Sequence, residues 1–183
     1  MSPLDLRLIA AIRILEAVNE HIGRGLAWLS LGMVLTTFAV VVLRYAFDLG
    51  WIAMQESVTY MHALLFMGAA AYTLRHQGHV RVDIFYRRFS PRGRARVDLL
   101  GVLLLLWPVC GFILWTSWGY VADSWAVQEG SREAGGLPGV WLLKTLILIM
   151  PLLFMVQGLA QALRSVLVLR GTWRDADVEA EGA

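Results

Sequence analysis

The stretch Leu99–Ala122, LLGVLLLLWPVCGFILWTSWGYVA, holds no Asp, Glu, Lys or Arg. An α-helix rises about 1.5 Å per residue, so a run of this length covers the roughly 30 Å of a bilayer's hydrocarbon core. Gly25–Leu43, Ser57–Leu74 and Thr145–Leu163 are equally free of charge. Each reaches the ~18–20 residues that a spanning helix needs. Buried helices of soluble proteins rarely attain that length repeatedly in one chain. The pattern predicts an all-α integral membrane protein with four transmembrane helices.

Composition points the same way. Of 183 residues, 58% are hydrophobic and 16% charged, and the mean hydropathy is +0.61. A soluble domain carries about a quarter charged residues. The net charge of +2 and pI near 9.0 would suit a nucleic-acid binder, but the basic residues flank apolar runs and form no stripe interleaved with exposed aromatics. No nucleic-acid partner is expected; the lipid bilayer is. Cys110 is the one cysteine, which excludes an intrachain disulfide and a CxxC redox centre.

The segment between the second and third runs holds Arg75, Arg81, Arg87, Arg88, Arg92, Arg94 and Arg96; the N-terminal segment adds Arg7, Arg13 and Arg24, and the C-terminal one Arg164, Arg170 and Arg174. The loop 123–140 sets only Arg132 against Asp123, Glu129 and Glu133. With an even number of spans, all basic segments fall on one side, which the positive-inside rule makes cytoplasmic. Both termini are therefore expected in the cytoplasm. Tyr45, Phe47, Trp51, Trp118, Tyr120, Trp125 and Trp141 cluster at the opposite ends, where amphipathic rings favour the interface.

The chain is read as one membrane domain, 1–183. Residues 4–24 form an amphipathic helix on the bilayer surface or against a partner's cytoplasmic face, with Leu8, Ile12, Leu15, Val18 and Ile22 opposite Arg13, Glu16, Glu20 and Arg24. Ser2, Pro3 and Asp5 mark its start. Spans follow at 25–47, 51–74, 97–122 and 141–167. A cytoplasmic interfacial helix occupies 79–89, a periplasmic loop 123–140 and a disordered tail 174–183. Ser90-Pro91 caps the next helix. Pro108 and Pro151 are expected to kink spans three and four, each removing a hydrogen bond.

Polar residues at membrane depth carry the chemistry. Arg44 and Glu56 flank the turn at about Asp48–Gly50, so an ion pair between antiparallel helices is expected. The alternative makes Glu56 a proton or cation site. His62 lies inside a span without a facing second ligand for haem and is read as a polar helix contact. Gly68, Ala69, Ala70 and Ala71 form a small-residue patch for close helix approach. His79 and Asp83 lie four apart on one helical face, with no third ligand. Phosphate loops, nucleophile–base constellations and metal-ligand clusters are absent from the sequence. No catalytic residue, metal or cofactor is expected.

Trp51 to Glu56, then Phe66-Met67-Gly68, then Gly78-His79-Val80-Arg81-Val82-Asp83 form an ordered series. Together with Arg44-Tyr45, and with Gly135-Gly136-Leu137-Pro138 ahead of Trp141 and Lys144, it resembles the small membrane subunit (DctQ-like) of tripartite ATP-independent periplasmic (TRAP) transporters over roughly residues 25 to 165. The resemblance implies a partner in uptake of small organic acids driven by a sodium or proton gradient. A periplasmic binding protein delivers substrate to a large membrane subunit, which moves it by an elevator motion. The small subunit would brace the large one and offer periplasmic surface, here Glu129, Arg132, Glu133, Gly135 and Gly136, to the binding protein. Ending after its fourth span, the chain would be the separate rather than the fused form. Two other functions stay open on sequence: a self-sufficient proton-coupled transporter using Glu56, and a membrane anchor of a redox complex.

Overall fold

A computed structural model describes residues 3–79, 83–86 and 88–173 of the chain. Helix α1 runs unbroken from Pro3 to Phe47, about 67 Å at the usual rise and twice the hydrocarbon thickness. The expected surface helix and first span are thus a single rod. No proline interrupts it, and one glycine such as Gly25 costs only about 1 kcal/mol in a helix interior. Its buried stripe is Asp5, Ile12, Glu16, Asn19 and Gly23, at helical spacing. Glu16, assigned above to the polar outer face, is only 4% exposed. What covers it is the chain's own helix α7 (Val140–Arg170).

Helix α2 (Ile52–Gly68) and helix α3 (Ala70–Arg75) meet at Ala69, with φ −89° and ψ 0°. The Ala69 N–H still donates to the Leu65 carbonyl at 3.0 Å, and Thr73 N–H to the Ala69 carbonyl at 3.0 Å. The Thr73 hydroxyl donates to that same carbonyl at 3.1 Å, a back-bond that bends helices. Segment 51–74 is therefore a bent pair rather than one straight helix. Of the helix expected over 79–89, the described residues show one turn, α4 (Asp83–Tyr86). Arg81, Arg87, the Asp83 side chain and the tail 174–183 lie outside the described residues.

Helix α5 (Pro91–Gly101) starts where Ser-Pro predicts, with the Gly93 N–H donating to Ser90 Oγ at 3.2 Å. It continues through a π-helical turn (Val102–Leu106) into α6 (Trp107–Ala126). The wide turn answers Pro108. A proline ring collides with the carbonyl four residues before it, here that of Leu104. Widening the preceding turn lets the Trp107 N–H reach the Val102 carbonyl instead.

Helix α7 is the centre of the molecule, touching α1, α2, α3, α5, the π turn and α6. It buries Gly158, Ala160, Ala162 and Ser165, small residues that allow close packing where lipid supplies no hydrophobic drive between helices. Pro151 sits inside α7 and is buried. The left-handed Gly171 (φ +74°) closes the helix. Close approach also sets the α1–α3 contact, where a Cβ on Gly23 would stand 2.5 Å from Tyr72 Cβ.

The polarity is inverted relative to a soluble bundle. Glu16, Asn19, Ser124, Gln157 and Ser165 are buried, while Trp28 is 74% and Trp115 80% exposed, beside Val34, Phe38, Leu104, Leu105 and Phe112. Helices Pro3–Phe47, Pro91–Ala126 and Val140–Arg170 are each long and apolar enough to cross a membrane. The architecture is that of a multi-pass, all-helical membrane protein.

Glu16 bonds Arg164 of α7 and lies 3.7 Å from Arg75 Nε of α3. Removing one partner of a buried ion pair leaves the other charge stranded, at about 3–5 kcal/mol. Glu16→Gln is expected to lower the detergent-solubilised protein's thermal midpoint sharply, whereas Arg7→Gln leaves it in place.

Candidate functional site

Polar side chains gather at the two ends of the bundle. At the arginine-poor end, the loop between α6 and α7 is fastened by two carboxylates. Glu56, one turn into α2, accepts from the Ser131 hydroxyl and from the Leu137 N–H, the latter at 2.7 Å. Ser131 N–H donates to the Leu137 carbonyl at 2.9 Å, so Glu56 closes a small ring of loop backbone. Gly136 lies against that ring. A Cβ there would stand 2.5 Å from Ser131 Cβ and 2.8 Å from Glu56 Oε2. Its neighbour Gly135 is left-handed, with φ +79°.

The second carboxylate works in the opposite sense, from the loop toward the helices. Glu129 accepts from Lys144 of α7 and from the Ser124 hydroxyl of α6, the latter at 2.8 Å. Lys144 also lies 4.0 Å from the centre of the Tyr120 ring. Trp125 and Trp141 meet edge to face at 4.3 Å, and the Trp125 indole donates to Thr145 at 2.9 Å. Hydrogen bonds from Lys144 and then Ser124, opposed by partial desolvation, hold the Glu129 carboxyl below its ordinary value. The loop is thus tied to α2, α6 and α7, while Arg132, Glu133 and Gly135 remain at the surface.

Arg44 takes no part in this. It is exposed near the end of α1, and among the described residues no ion pair joins it to Glu56. Spacing around the turn sets the two at similar depth but does not set their direction around each helix. Of the five loop residues singled out from sequence, Glu129 and Gly136 hold the loop together, leaving Arg132, Glu133 and Gly135 as its outward surface. Ser131, Leu137, Ser124 and Lys144 were not legible as partners, because each bond joins groups on different elements.

At the other end, Glu20 accepts from Arg75, from His76 at 2.8 Å and from Arg24 at 2.7 Å. Burial opposes its ionisation, but the hydrogen bonds from His76 and Arg24 and the charge of Arg75 outweigh it, and the carboxyl titrates below its ordinary value. Asn19 donates to Gln157 at 2.9 Å, and Asp5 lies 3.7 Å from Arg170. Arg75, placed from sequence as a topology marker, is therefore also a tie between α1 and α3. Among the described residues no group of His, Cys, Asp and Glu could hold a metal ion.

The model of one protein family, the DctQ component of tripartite ATP-independent periplasmic transporters, matches residues 33–168. The chain belongs to that family. No curated protein and no solved structure matches it. As a DctQ component it is a TRAP transporter small membrane subunit, and the family works with a large membrane subunit and a periplasmic binding protein.

The family-like series is spread over this DctQ fold. Gly68 packs on α1, where an added Cβ would stand 2.5 Å from Leu26 Cδ1, and Ala69 makes the bend before α3. His62 is exposed beside Phe66 rather than set in a helix contact. The Gly78 N–H closes α3 on the Thr73 carbonyl at 2.9 Å, and His79 Nε2 lies 3.3 Å from the Ala70 carbonyl. Arg88, Arg92 and Arg96 are exposed, and Arg94 is half-buried.

A carboxyl whose folded pKa lies below the ordinary 4.5 stabilises the fold above that value and stops doing so as the pH falls through the folded value. The thermal midpoint of the DctQ chain should therefore decline between about pH 5 and pH 3. Glu129→Gln should flatten part of that decline, read as thermal midpoint against pH.

Proposed function

We propose that the chain braces the large membrane subunit of its TRAP transporter and presents the 127–139 loop to the periplasmic binding protein, in ion-gradient-driven uptake of small organic acids. It crosses the bacterial inner membrane four times: through the outer part of α1, through the bent pair α2–α3, through α5–α6 and through α7. α2 alone has 17 residues, about 26 Å at the usual rise, and the turn of α3 beyond Ala69 supplies the rest. Both termini lie in the cytoplasm, since Arg75, Arg94, Arg164 and Arg170 share one end of the bundle and the positive-inside rule assigns that end. The outer loop then faces the periplasm.

The loop's fastening is the observation that carries the docking role. A surface held in one conformation by Glu56 and Glu129 loses little ordering entropy on meeting a partner. Arg132, Glu133 and Gly135 are the part of it left for contact. The Glu56 carboxylate is engaged by the chain's own Ser131 and Leu137, which supports a structural group rather than a proton carrier.

Reconstitution of the chain with the large subunit and binding protein in proteoliposomes tests this. Omitting the chain should abolish binding-protein-dependent uptake. The double variant Arg132→Glu, Glu133→Arg should cut uptake about tenfold, the loss expected from one poorly matched contact, while the two membrane subunits still copurify. Uptake by the chain alone, abolished by Glu56→Gln, would overturn the proposal.

A further inference from the structure

At the arginine-bearing end, α3, α4, α5 and α7 enclose a cavity of about 530 Å³. Arg75, Arg94 and Arg164 line it together with Gln77, Gln161 and Asp98. A guanidinium carries five N–H donors, and the bonds within the chain use only some of them. Arg164 gives one nitrogen to Glu16, and its Nε is buried with no acceptor. Arg94 donates through Nε to the Phe89 carbonyl at 3.2 Å, with its guanidinium 6.0 Å from the centre of the Tyr86 ring. Arg75 is held from behind by Glu20 and by the Glu16 carbonyl.

Among the described residues around the cavity, charge stays positive after that pairing. Arg24, Arg75, Arg94 and Arg164 face Glu16, Glu20 and Asp98. Asp98 is the one acidic residue among the described residues of the lining, and it accepts from the Tyr86 hydroxyl at 2.7 Å. Guanidinium forks match the oxygens of phosphate better than those of any other common biological anion except carboxylate. Apolar Ile84, Phe85 and Phe89 stand exposed beside the cavity, a polar recess next to an apolar shoulder. Basic recesses between membrane helices take anionic lipid head groups by this chemistry.

We propose that this cavity is a phosphate-binding site that holds the head group of an anionic phospholipid, with Arg75, Arg94 and Arg164 as its donors. The site is independent of the docking role above, since it lies at the other end of the bundle. Free inorganic phosphate shares the chemistry, so the test separates the two sources.

The full chain is purified in detergent and examined by native mass spectrometry with phosphatidylglycerol, with phosphatidylcholine and with inorganic phosphate. Phosphatidylglycerol should stay bound at collision energies that strip phosphatidylcholine. Arg94→Gln, whose side chain bonds only a backbone carbonyl, should lower the bound fraction about tenfold, in line with one charge-assisted hydrogen bond. Gln161→Leu, which disturbs no ion pair, should act in the same direction. Arg132→Gln at the far end should have no effect. Phosphate binding that Arg94→Gln removes, without selective lipid retention, keeps the chemistry and assigns the source to the free anion. Equal retention of both lipids with no phosphate binding, or binding indifferent to Arg94→Gln and Gln161→Leu, overturns the proposal.

Discussion

A carboxylate with almost no contact with solvent, Glu16, joins Arg164 of the central helix and Arg75 of α3. In lipid the apolar faces of helices gain nothing by meeting one another, so association rests on close packing and polar links. A buried charge is tolerated only when paired, and once paired it fixes which helix lies against which. Asn19 and Gln157 repeat the link farther along the same two helices. The N-terminal half of α1, which the sequence alone would detach, is held to α7 by these links together with the apolar cluster of Ile12, Ala160, Leu167 and Trp173.

The arginine-poor end uses the same device for another purpose. Glu56 and Glu129 each reach across elements, one from helix to loop and the other from loop to helix. Between the two polar ends lie small residues in close contact, Gly23 against Tyr72 and Gly158 against Leu106. Side-chain bonds join separate elements at both ends, and helices approach closely at Gly23 and Gly158, which accords with the bracing role proposed above.

What could be read from sequence followed from local rules. Uncharged runs located the apolar helices and Ser90-Pro91 marked the start of α5; at Pro108, where a kink is expected, the preceding turn is widened. The ordered family-like series led to the family itself. What escaped depended on direction rather than depth. Arg44 and Glu56 lie across one short connection, yet Glu56 faces the distant loop. Glu16 falls among charged neighbours, Arg13 and Glu20, that mimic a wet face, and only the path of α7 reveals that it is inside. The continuity of α1 was hidden because a change from polar to apolar composition looks like a boundary even when the backbone has no reason to stop.

The widened turn at Val102–Leu106 has a geometric effect on everything beyond it. Each residue of an α-helix advances the azimuth by about 100°, so one additional residue per turn re-phases the rod. The inserted residue shifts the sequence register of the buried face by one position across the turn. Ala95 before the turn, Val102 at its start, and Cys110 and Val121 after it are all buried. The rod before the turn and the rod after it therefore follow different sequence registers while both turn buried residues toward the bundle.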